Sequence, residues 1–387
     1  MFGFALTTKF SVMPLVIPVI ISHIIFQFSQ SNSDRLKIII NRGKIWNLVK
    51  TLFLFLSACL LILVIFQPYM FIDLHTYINT ISTQGDMVRR NIDFPFTRQY
   101  IDTPKYIYQI IQTGIWGFGP VLGIMAWIGF LLSIISLIIF RKKSDIVIIS
   151  WVFLYFALTG WFDVKFLRYM LPIAPFLIMY SSRLTFWLVE IIKSLKPESK
   201  WIIYVPVLII VFFTLHFSLS FLNIYSDNHP SITASQWLEN NAGNRSVVVQ
   251  EHWDEGIPHN SRIIFGERLE LYNYDNLNKF EMISTQLENA DYLVLVSNRL
   301  YATIPRLKDR YPISSLFYEK LFSHKLGYEV VFTTNRAIGG LGIEYHEDLF
   351  SRVDFNYDDR ILRSNKDFIS INFGWSDESF SVYDHPR

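Results

Sequence analysis

Cysteine and charged residues are both scarce in this sequence. Only one of its 387 residues is a cysteine, Cys59, so these residues can form no internal disulfide and no cysteine-based metal site. Charged residues make up 18% of the sequence, against about 25% in a typical soluble domain, whereas hydrophobic residues make up 51%. This composition excludes a disordered chain, a disulfide-stabilised miniprotein and an ordinary cytosolic enzyme. It indicates a membrane protein with a sizeable water-soluble part.

Patterns that mark many soluble enzymes are missing as well. The glycines are either clustered, as in 339–342, or placed at a predicted membrane edge, as in 114–119, so no glycine-rich phosphate-binding loop is present. No spacing of serine, histidine and aspartate indicates a nucleophilic triad. Segment 252–259 contains two histidines and two carboxylates, but their spacing fits no metal site and predicts a polar loop. The adjacent Asp358 and Asp359 are predicted to be solvated rather than catalytic.

The net charge of +2 combines two halves of opposite sign. Residues 1–224 contain 19 Lys/Arg and 9 Asp/Glu, a net +10, and residues 225–387 contain 16 Lys/Arg and 24 Asp/Glu, a net −8. Such a break in composition indicates a domain boundary. We therefore predict a membrane domain over 1–224 and a second domain over 225–387.

Apolar runs long enough to cross a bilayer recur through the first half. A crossing helix needs about 20 mostly apolar residues. Five runs qualify, and the fourth reads as a hairpin of two arms, so we predict about six crossings. The runs are Phe10–Phe28, Leu48–Phe71, Pro120–Phe140, Ile146–Trp161 with Tyr169–Leu188, and Trp201–Ile224.

Basic residues in alternate connections predict the orientation of these crossings. Linkers 29–50, 141–145 and 193–200 are rich in Lys and Arg, which indicates the cytoplasmic side. Loops 72–119 and 162–168 and the C-terminal tail then lie outside. We predict a multi-pass protein integral to the plasma (cytoplasmic) membrane with an extracytoplasmic C-terminal domain.

The N-terminal residues are unusual for a membrane protein. Met1–Thr8 is apolar, lacks a basic segment before it and leads directly into Lys9, so it does not resemble a signal peptide. The predicted orientation places Lys9 outside, and Met1–Thr8 then resembles the last turns of a longer helix. We expect an N-terminally truncated part of a larger membrane protein; the alternative is a genuine short first helix.

The tail alternates strand-like and helix-like segments, a pattern typical of an α/β domain with a mainly parallel sheet. Strands are predicted at Ser246–Glu251, Asp291–Ser297, Tyr328–Thr333, Phe368–Phe373 and Ser379–Tyr383. Helices are predicted at Lys279–Asn289 and Ser315–Ser323. The fold class is therefore an α-helical polytopic membrane domain followed by an extracytoplasmic α/β domain.

The segment between the two hairpin arms is a candidate phosphate site. Asp163, Lys165 and Arg168 lie at the predicted outer surface, followed by Tyr169 and a Leu171-Pro172 break. A lysine provides a point charge and an arginine a planar fork, which together suit the phosphate of a lipid whose tail stays in the bilayer. The alternative is that both cations merely extend to the lipid headgroups.

Loop 72–119 is a second candidate, because loops of this length are often functional. Its arginine, glutamine and aromatic side chains suit a surface that binds sugar hydroxyls and phosphate; the candidates are Arg89, Arg98, Gln99 and Tyr100. The alternative is an amphipathic helix lying on the membrane. Its apolar face would contain Phe94, Phe96, Ile101 and Tyr106.

Three segments together resemble the GT-C superfamily of membrane glycosyltransferases. Gly3–Ser11 is similar to a G-x-A-x-x-T-K turn, Phe94–Tyr100 is followed by the Trp116–Pro120 helix entry, and Lys165–Pro175 resembles a K/R-x-x-R-Y-x-L-P-x-x-P signature. The resemblance is to bacterial proteins similar to protein O-mannosyltransferases and lipid A aminoarabinose transferases. The tail segments Asp291–Tyr311 and Val382–Pro386 also resemble external domains attached to such enzymes, so the resemblance covers nearly the whole chain.

The resemblance implies a glycosyltransferase that uses a sugar on a polyprenyl phosphate at the outer face. It places Lys165, Arg168 and Tyr169 near the donor phosphate, and Arg98, Gln99 and Tyr100 on the loop that closes the cavity. The family's acidic catalytic residues lie in a first external loop that has no counterpart in this sequence. The general base is therefore expected to be missing, and the chain alone to be inactive.

Cofactors and partners follow from the same resemblance. The expected partners are the lipid-linked donor, membrane lipids and an acceptor of open identity (protein, lipid or glycan), with no nucleic acid. No cofactor is assigned, and a divalent metal is left open. Two other functions remain: a transporter or flippase, which would have ionisable residues within its spans, and a membrane-anchored binding domain.

Overall fold

The computed structural model divides the chain into two compact units, Met1–Thr214 and Leu215–Arg387. The residues that it describes are 1–28, 41–140, 143–195, 201–226, 228–253, 256–258, 262–296, 298–334, 338–346 and 369–372.

The described part of the first unit is helical. Its α-helices are α1 (Phe2–Thr8), α2 (Val16–Phe28), α3 (Arg42–Phe66), α4 (Tyr69–Ile72), α5 (Leu74–Val88), α6 (Ile107–Gln112), α7 (Pro120–Phe140), α8 (Lys143–Trp161), α9 (Ala174–Leu195) and the start of α10 (Val205–Leu222). Short 3₁₀ turns cover Phe10–Leu15, Pro95–Tyr100, Leu167–Met170 and Ile202–Tyr204, and Thr113–Gly117 is a π-helix.

The helical membrane character predicted from the sequence is confirmed. Within the described ranges five helices are long and apolar enough to cross a membrane, and a shorter apolar helix covers Asp145–Trp161. The five are Phe10–Phe28, Arg42–Phe66, Pro120–Phe140, Ala174–Leu195 and Val205–Tyr225. Large apolar side chains such as Phe53, Leu61 and Val211 are exposed on them, as expected for surfaces that face lipid.

The second crossing helix begins and ends earlier than its predicted bounds. Asn41 caps it, because its side chain accepts a hydrogen bond from the backbone N–H of Gly43. It ends at Phe66 because Pro68 disfavours helical backbone at Gln67, whose φ and ψ are −138° and 54°. The basic residues Arg42 and Lys44 therefore belong to the first turn of α3 rather than to a linker.

Helices α7 and α9 form the centre of the first unit. A β-carbon on Gly129 of α7 would lie 2.3 Å from the carbonyl oxygen of Tyr180 on α9, so the two backbones approach closely there. Ala126, Val152 and Leu177 are fully buried around this contact. This rigid centre positions the turn that precedes α9.

Loop 72–119 is more structured than a connector. It contains α5, a 3₁₀ turn, α6 and the π-helix. The amphipathic helix considered for 94–106 does not form: Pro95 starts a 3₁₀ turn, and the aromatic side chains pack within the unit. The ring centroids of Phe96 and Phe166 are 6.3 Å apart, and those of Tyr106 and Phe156 are 5.6 Å apart.

The second unit contains two small three-stranded sheets among its described residues. The strands are β1 (Ser246–Gln250), β2 (Ile263–Phe265), β3 (Tyr292–Val294), β4 (Ile338–Gly340), β5 (Ile343–His346) and β6 (Ile369–Asn372). The first sheet has the order β2-β1-β3 and is parallel, with Val248 opposite Phe265 and Tyr292. In the second, β5 pairs antiparallel with β4 and parallel with β6.

Helices cover the parallel sheet and complete its core. They are α11 (Pro230–Asn241), α12 (Leu277–Asn289), α13 (Asn298–Tyr301) and α14 (Pro312–Phe322), with 3₁₀ turns at Asn223–Tyr225 and Ile304–Arg306. Val249, Leu271 and Leu300 are fully buried in this core. A buried ion pair of 2.5 Å joins Lys279 Nζ to Asp275 Oδ1.

Most predicted elements of the tail are found close to their predicted bounds. Among the described residues, the strand predicted at Asp291–Ser297 covers only Tyr292–Val294, and Tyr328–Thr333, which was predicted as a strand, is not one. Its side chains hold it instead: the Tyr328 hydroxyl donates to the carbonyl oxygens of Leu287 and Ala290, at 2.8 and 3.0 Å, and Phe332 stacks on Trp237. The predicted strand Ser379–Tyr383 lies outside the described residues.

Candidate functional site

The structure brings the two candidate segments of the first unit into contact. Lys165, only 1% exposed, donates from Nζ to Thr103 Oγ1 at 2.9 Å and to the carbonyl oxygen of Asp163 at 3.2 Å. The rings of Tyr100 and Phe166 meet edge to face at 5.4 Å. Segments 93–106 and 162–170 therefore form one cluster of polar and aromatic side chains, which we call the outer cluster after the side of the membrane that the sequence predicts for it.

The predicted phosphate-binding residues occupy different environments within the outer cluster. Lys165 is buried, whereas Arg168 is exposed, with its guanidinium carbon 4.1 Å from the centroid of the Phe166 ring. Tyr169 is half-buried between Phe162 and Phe166, and Lys9 Nζ lies 5.7 Å from the centroid of the Tyr169 ring. Lys9 and Arg168 are thus two exposed cations beside the same aromatic group.

The predicted loop residues also differ from one another. Arg98 is buried and paired with Asp93 at 3.4 Å, and Gln99 and Tyr100 are buried beside it. The same 3₁₀ turn positions all three. Arg89 is exposed after the last turn of α5, and within the described residues its side chain makes no hydrogen bond or ion pair.

Asp163 is the point at which several cations converge. Lys105 Nζ lies 3.4 Å from Asp163 Oδ1, and Arg90 Nη2 donates to the Asp163 carbonyl oxygen at 3.3 Å. Burial lowers the pKa of Arg90 from its ordinary value, and the neighbouring Asp163 opposes that shift. Arg90 also has a φ of 60°, which the sequence does not reveal. Three cations therefore meet at Asp163, Lys105 at its carboxylate and Arg90 and Lys165 at its carbonyl oxygen.

Sequence reasoning missed a group of buried polar residues next to the outer cluster. Gln109, Gln112, Thr113 and Trp116 lie on α6 and the π-helix, and all are buried. Their spacing of three, four and seven residues was the available signal, because it places polar side chains on one helical face. The first unit therefore has an interior that is polar at this position.

An apolar groove lies among α2, α3, α8 and α9, with a volume of about 510 Å³. Phe26, Phe55 and Phe176 line it, and the pair His23 and Thr51 adds a polar contact. Trp151 also lines it and donates from Nε1 to the carbonyl oxygen of Pro172 at 3.2 Å. Since Pro172 follows the Leu167–Met170 turn, the groove begins close to the outer cluster.

The second unit has a cavity of its own, of about 600 Å³. Aromatic side chains line its interior, including Trp237, Tyr292 and Phe332, and Asp291 and Glu329 add carboxylates. This size lies within the range of small-molecule sites.

Metal-binding candidates are few. Within the described ranges no three His, Cys, Asp or Glu side chains come together in a group that could hold a metal ion. Asp254, Glu255 and His259 of the polar loop, and the pair Asp358 and Asp359, lie outside the described residues. His252 lies just after β1 and is described.

The fold and the site together define a mainly helical chain with five candidate membrane-spanning helices and a polar and aromatic cluster beside an apolar groove. Comparisons of the chain with protein-family models, with curated proteins and with solved structures find no match.

Proposed function

We propose that the chain functions in membrane glycosyl transfer, in which a sugar passes from a polyprenyl-phosphate donor to an acceptor outside the cell. The observation that carries this proposal is the position of the outer cluster. Its cations Lys165 and Arg168 lie in the segment before α9, and Phe176 in the first turn of α9 lines the apolar groove. A lipid phosphate needs both features, a cationic surface and an apolar groove, in immediate succession.

The apolar groove suits the lipid part of the donor. A polyprenyl chain is a hydrocarbon, and its burial against Phe26, Phe55 and Phe176 would be favourable by the hydrophobic effect. The groove opens among helices whose outer faces are themselves apolar. The polyprenyl chain would enter the groove sideways from the bilayer without crossing a polar surface.

The exposed cations bind the phosphate part of the donor. Lys165 donates to Thr103 and to the Asp163 carbonyl, so in this proposal it is a positioning residue that joins the two segments. In this proposal Arg168 and Lys9 contact the phosphate, since Lys9 lies beside the Tyr169 ring and Arg168 beside the Phe166 ring that packs against it. Charge-assisted hydrogen bonds from such cations are stronger than neutral ones.

The reaction itself is a displacement at the anomeric carbon. An acceptor oxygen forms the new bond to that carbon, the bond to the phosphate oxygen breaks, and its electron pair remains on the polyprenyl phosphate. Arg168 and Lys9 stabilise this leaving group as its charge develops. The acceptor's proton goes to a general base, and no residue of this chain is assigned that role.

The orientation of the proposal follows the positive-inside rule. With the basic linkers in the cytoplasm, the outer cluster and the tail face outward, and the tail contains the predicted extracytoplasmic α/β domain. The acceptor is then a protein, lipid or glycan of the cell envelope. Its identity is not part of the proposal.

The phosphate contact is tested by binding of polyprenyl phosphate to the full chain in nanodiscs. We expect Arg168→Ala and Lys9→Ala each to weaken binding about tenfold, the loss of one charge-assisted hydrogen bond. Lys193→Ala, at an exposed position in the last turn of α9, is the matched control. Wild-type affinity in both variants would instead show that these cations only reach the lipid headgroups.

The cavity of the second unit favours a different function, that of a membrane-anchored binding domain. Its aromatic lining suits a small apolar or sugar-like ligand. Trp237→Ala would then abolish ligand binding while leaving polyprenyl phosphate binding intact. A screen of sugars and small lipids by thermal shift, on wild type and variant, distinguishes the two functions.

A further inference from the structure

One face of α6 and the π-helix buries polar side chains where a helix normally buries apolar ones. Gln109, Gln112 and Thr113 are 0%, 2% and 2% exposed. The inward face of a helix in a protein interior is ordinarily apolar, because buried polar groups lose their hydrogen bonds to water. The reversal at this helix therefore needs a partner for its polar groups.

Two of these side chains have no such partner among the described residues. Both carboxamide atoms of Gln109, Nε2 and Oε1, are buried without a hydrogen bond, and so is Thr113 Oγ1. An unpartnered buried group destabilises a fold by its full desolvation cost. Three such atoms one helical turn apart indicate a site that a polar ligand completes.

The position of this face connects it to the outer cluster. The α6 helix and the π-helix contact the Leu167–Met170 turn, and a β-carbon on Gly117 would lie 3.5 Å from Leu167 Cδ1. Lys165 Nζ lies 5.9 Å from the centroid of the Tyr108 ring, and Tyr108 directly precedes Gln109. A group attached to a phosphate at the outer cluster would therefore be within reach of α6.

We propose that Gln109 and Thr113 bind the hydroxyl groups of the donor sugar. A carboxamide has an acceptor and two donors side by side, which matches two neighbouring hydroxyls, and a threonine hydroxyl can both donate and accept. Both side chains are neutral, so the sugar that they select is a neutral one with adjacent free hydroxyls. This inference rests on the proposed function and adds the part of the donor that gives specificity.

The test compares two lipids that differ only in the sugar. The dissociation constants of the full chain in nanodiscs are measured for polyprenyl phosphate and for a polyprenyl-phosphate hexose. The wild type should bind the hexose lipid more tightly. Gln109→Leu and Thr113→Val should each reduce this preference about tenfold, the effect of one or two hydrogen bonds, and leave the affinity for polyprenyl phosphate unchanged.

Conservative and control variants separate binding from folding. Thr113→Ser keeps the hydroxyl and should retain the preference. Gln84→Leu makes the same chemical change at an exposed position on α5 and should have no effect. Because Gln109→Leu removes an unpartnered polar group, it should fold; Gln109→Met is a second apolar variant.

The possible outcomes are distinct. An unchanged sugar preference in Gln109→Leu and Thr113→Val would overturn the inference and indicate that water satisfies these groups. A wild type that binds polyprenyl phosphate without preferring the hexose lipid would also overturn it, but leave the phosphate site standing. A wild type that binds neither lipid would overturn the proposed function and this inference together.

Discussion

Glu251 shows how a buried carboxyl group is accommodated in the second unit. Its side chain is 0% exposed, yet Oε2 accepts a hydrogen bond of 2.7 Å from the backbone N–H of Val296, and Oε1 accepts one from the Tyr318 hydroxyl. Burial, and next the charge of Glu251, raise the pKa of Tyr318 well above its usual value. The folded protein therefore favours the protonated Tyr318 hydroxyl, which donates to Glu251.

A pH dependence follows from the Tyr318 hydroxyl. A pKa raised in the folded state gives a stability that is fully present below the unfolded pKa, about 10 for tyrosine, and is lost as the pH rises toward the folded value. We expect the free energy of unfolding to decrease above about pH 10. Tyr318→Phe should weaken that decrease and cost about 1–3 kcal/mol at neutral pH, since Glu251 loses a donor.

Urea unfolding of the full chain at pH 8 and above pH 10, followed by tryptophan fluorescence, measures both effects. Tyr274→Phe, at an exposed position, is the control. A variant with Phe at 318 that keeps the wild-type decrease above pH 10 would assign the decrease to other tyrosines.

At the scale of residues, the sequence indicated which side chains matter in the outer cluster but not their environments. Lys165 and Arg168 were predicted to bind one phosphate together as a cationic pair. The structure buries Lys165 against Thr103, which accepts its hydrogen bond and lies 62 residues earlier in the chain. Such a contact depends on tertiary packing, which no local spacing encodes. Gln109 was missed for the same reason, since polar residues at helical spacing are ordinarily solvated.

At the scale of elements, close helix approach depends on single glycines. Gly129→Ala would place a β-carbon 2.3 Å from the Tyr180 carbonyl oxygen, and because that atom belongs to the backbone of α9, one helix must shift. We expect a loss of about 1–3 kcal/mol in stability. Gly85→Ala is the matched control on α5, because no atom lies within 4 Å of its new β-carbon.

Gly85→Ala should in fact stabilise α5, by roughly 0.5–1 kcal/mol, because alanine loses less backbone entropy in a helix. Thermal unfolding of both variants in the same detergent compares the two effects. Equal midpoints for the two variants would contradict the close approach of α7 and α9.

Long elements were predictable from the sequence, and short ones were not. An apolar run of about 20 residues is by itself a strong signal for a helix, so the crossing helices lie near their predicted positions. Strand β2 has three residues, too few for any periodicity to show. Segment 328–333 has the composition of a strand, but Tyr328 bonds to Leu287 and Phe332 stacks on Trp237, and the segment joins no sheet among the described residues.

At the scale of the whole molecule, the orientation in the membrane is the main prediction. Cys59 is the only cysteine and is buried, so a Cys59→Ala background offers clean labelling. We expect a membrane-impermeant maleimide on intact cells to label Ser226→Cys and not Ser194→Cys, both exposed positions, because the positive-inside rule places them on opposite sides.

Permeabilised cells provide the control, since both cysteines should then react. Labelling of Ser194→Cys in intact cells would reverse the orientation and place the outer cluster in the cytoplasm. The basic residues in linkers 29–50, 141–145 and 193–200 would then need another explanation.

The π-helix at Thr113–Gly117 has a consequence for how this segment can change in length. A π-turn holds one residue more than an α-helical turn, so this segment contains one residue more than an ordinary helix would need to join the same ends. Deleting that residue would restore an ordinary helix and rotate Trp116 by about 100° relative to Gln109. The length of this segment, more than its composition, therefore determines which side chains share the polar face.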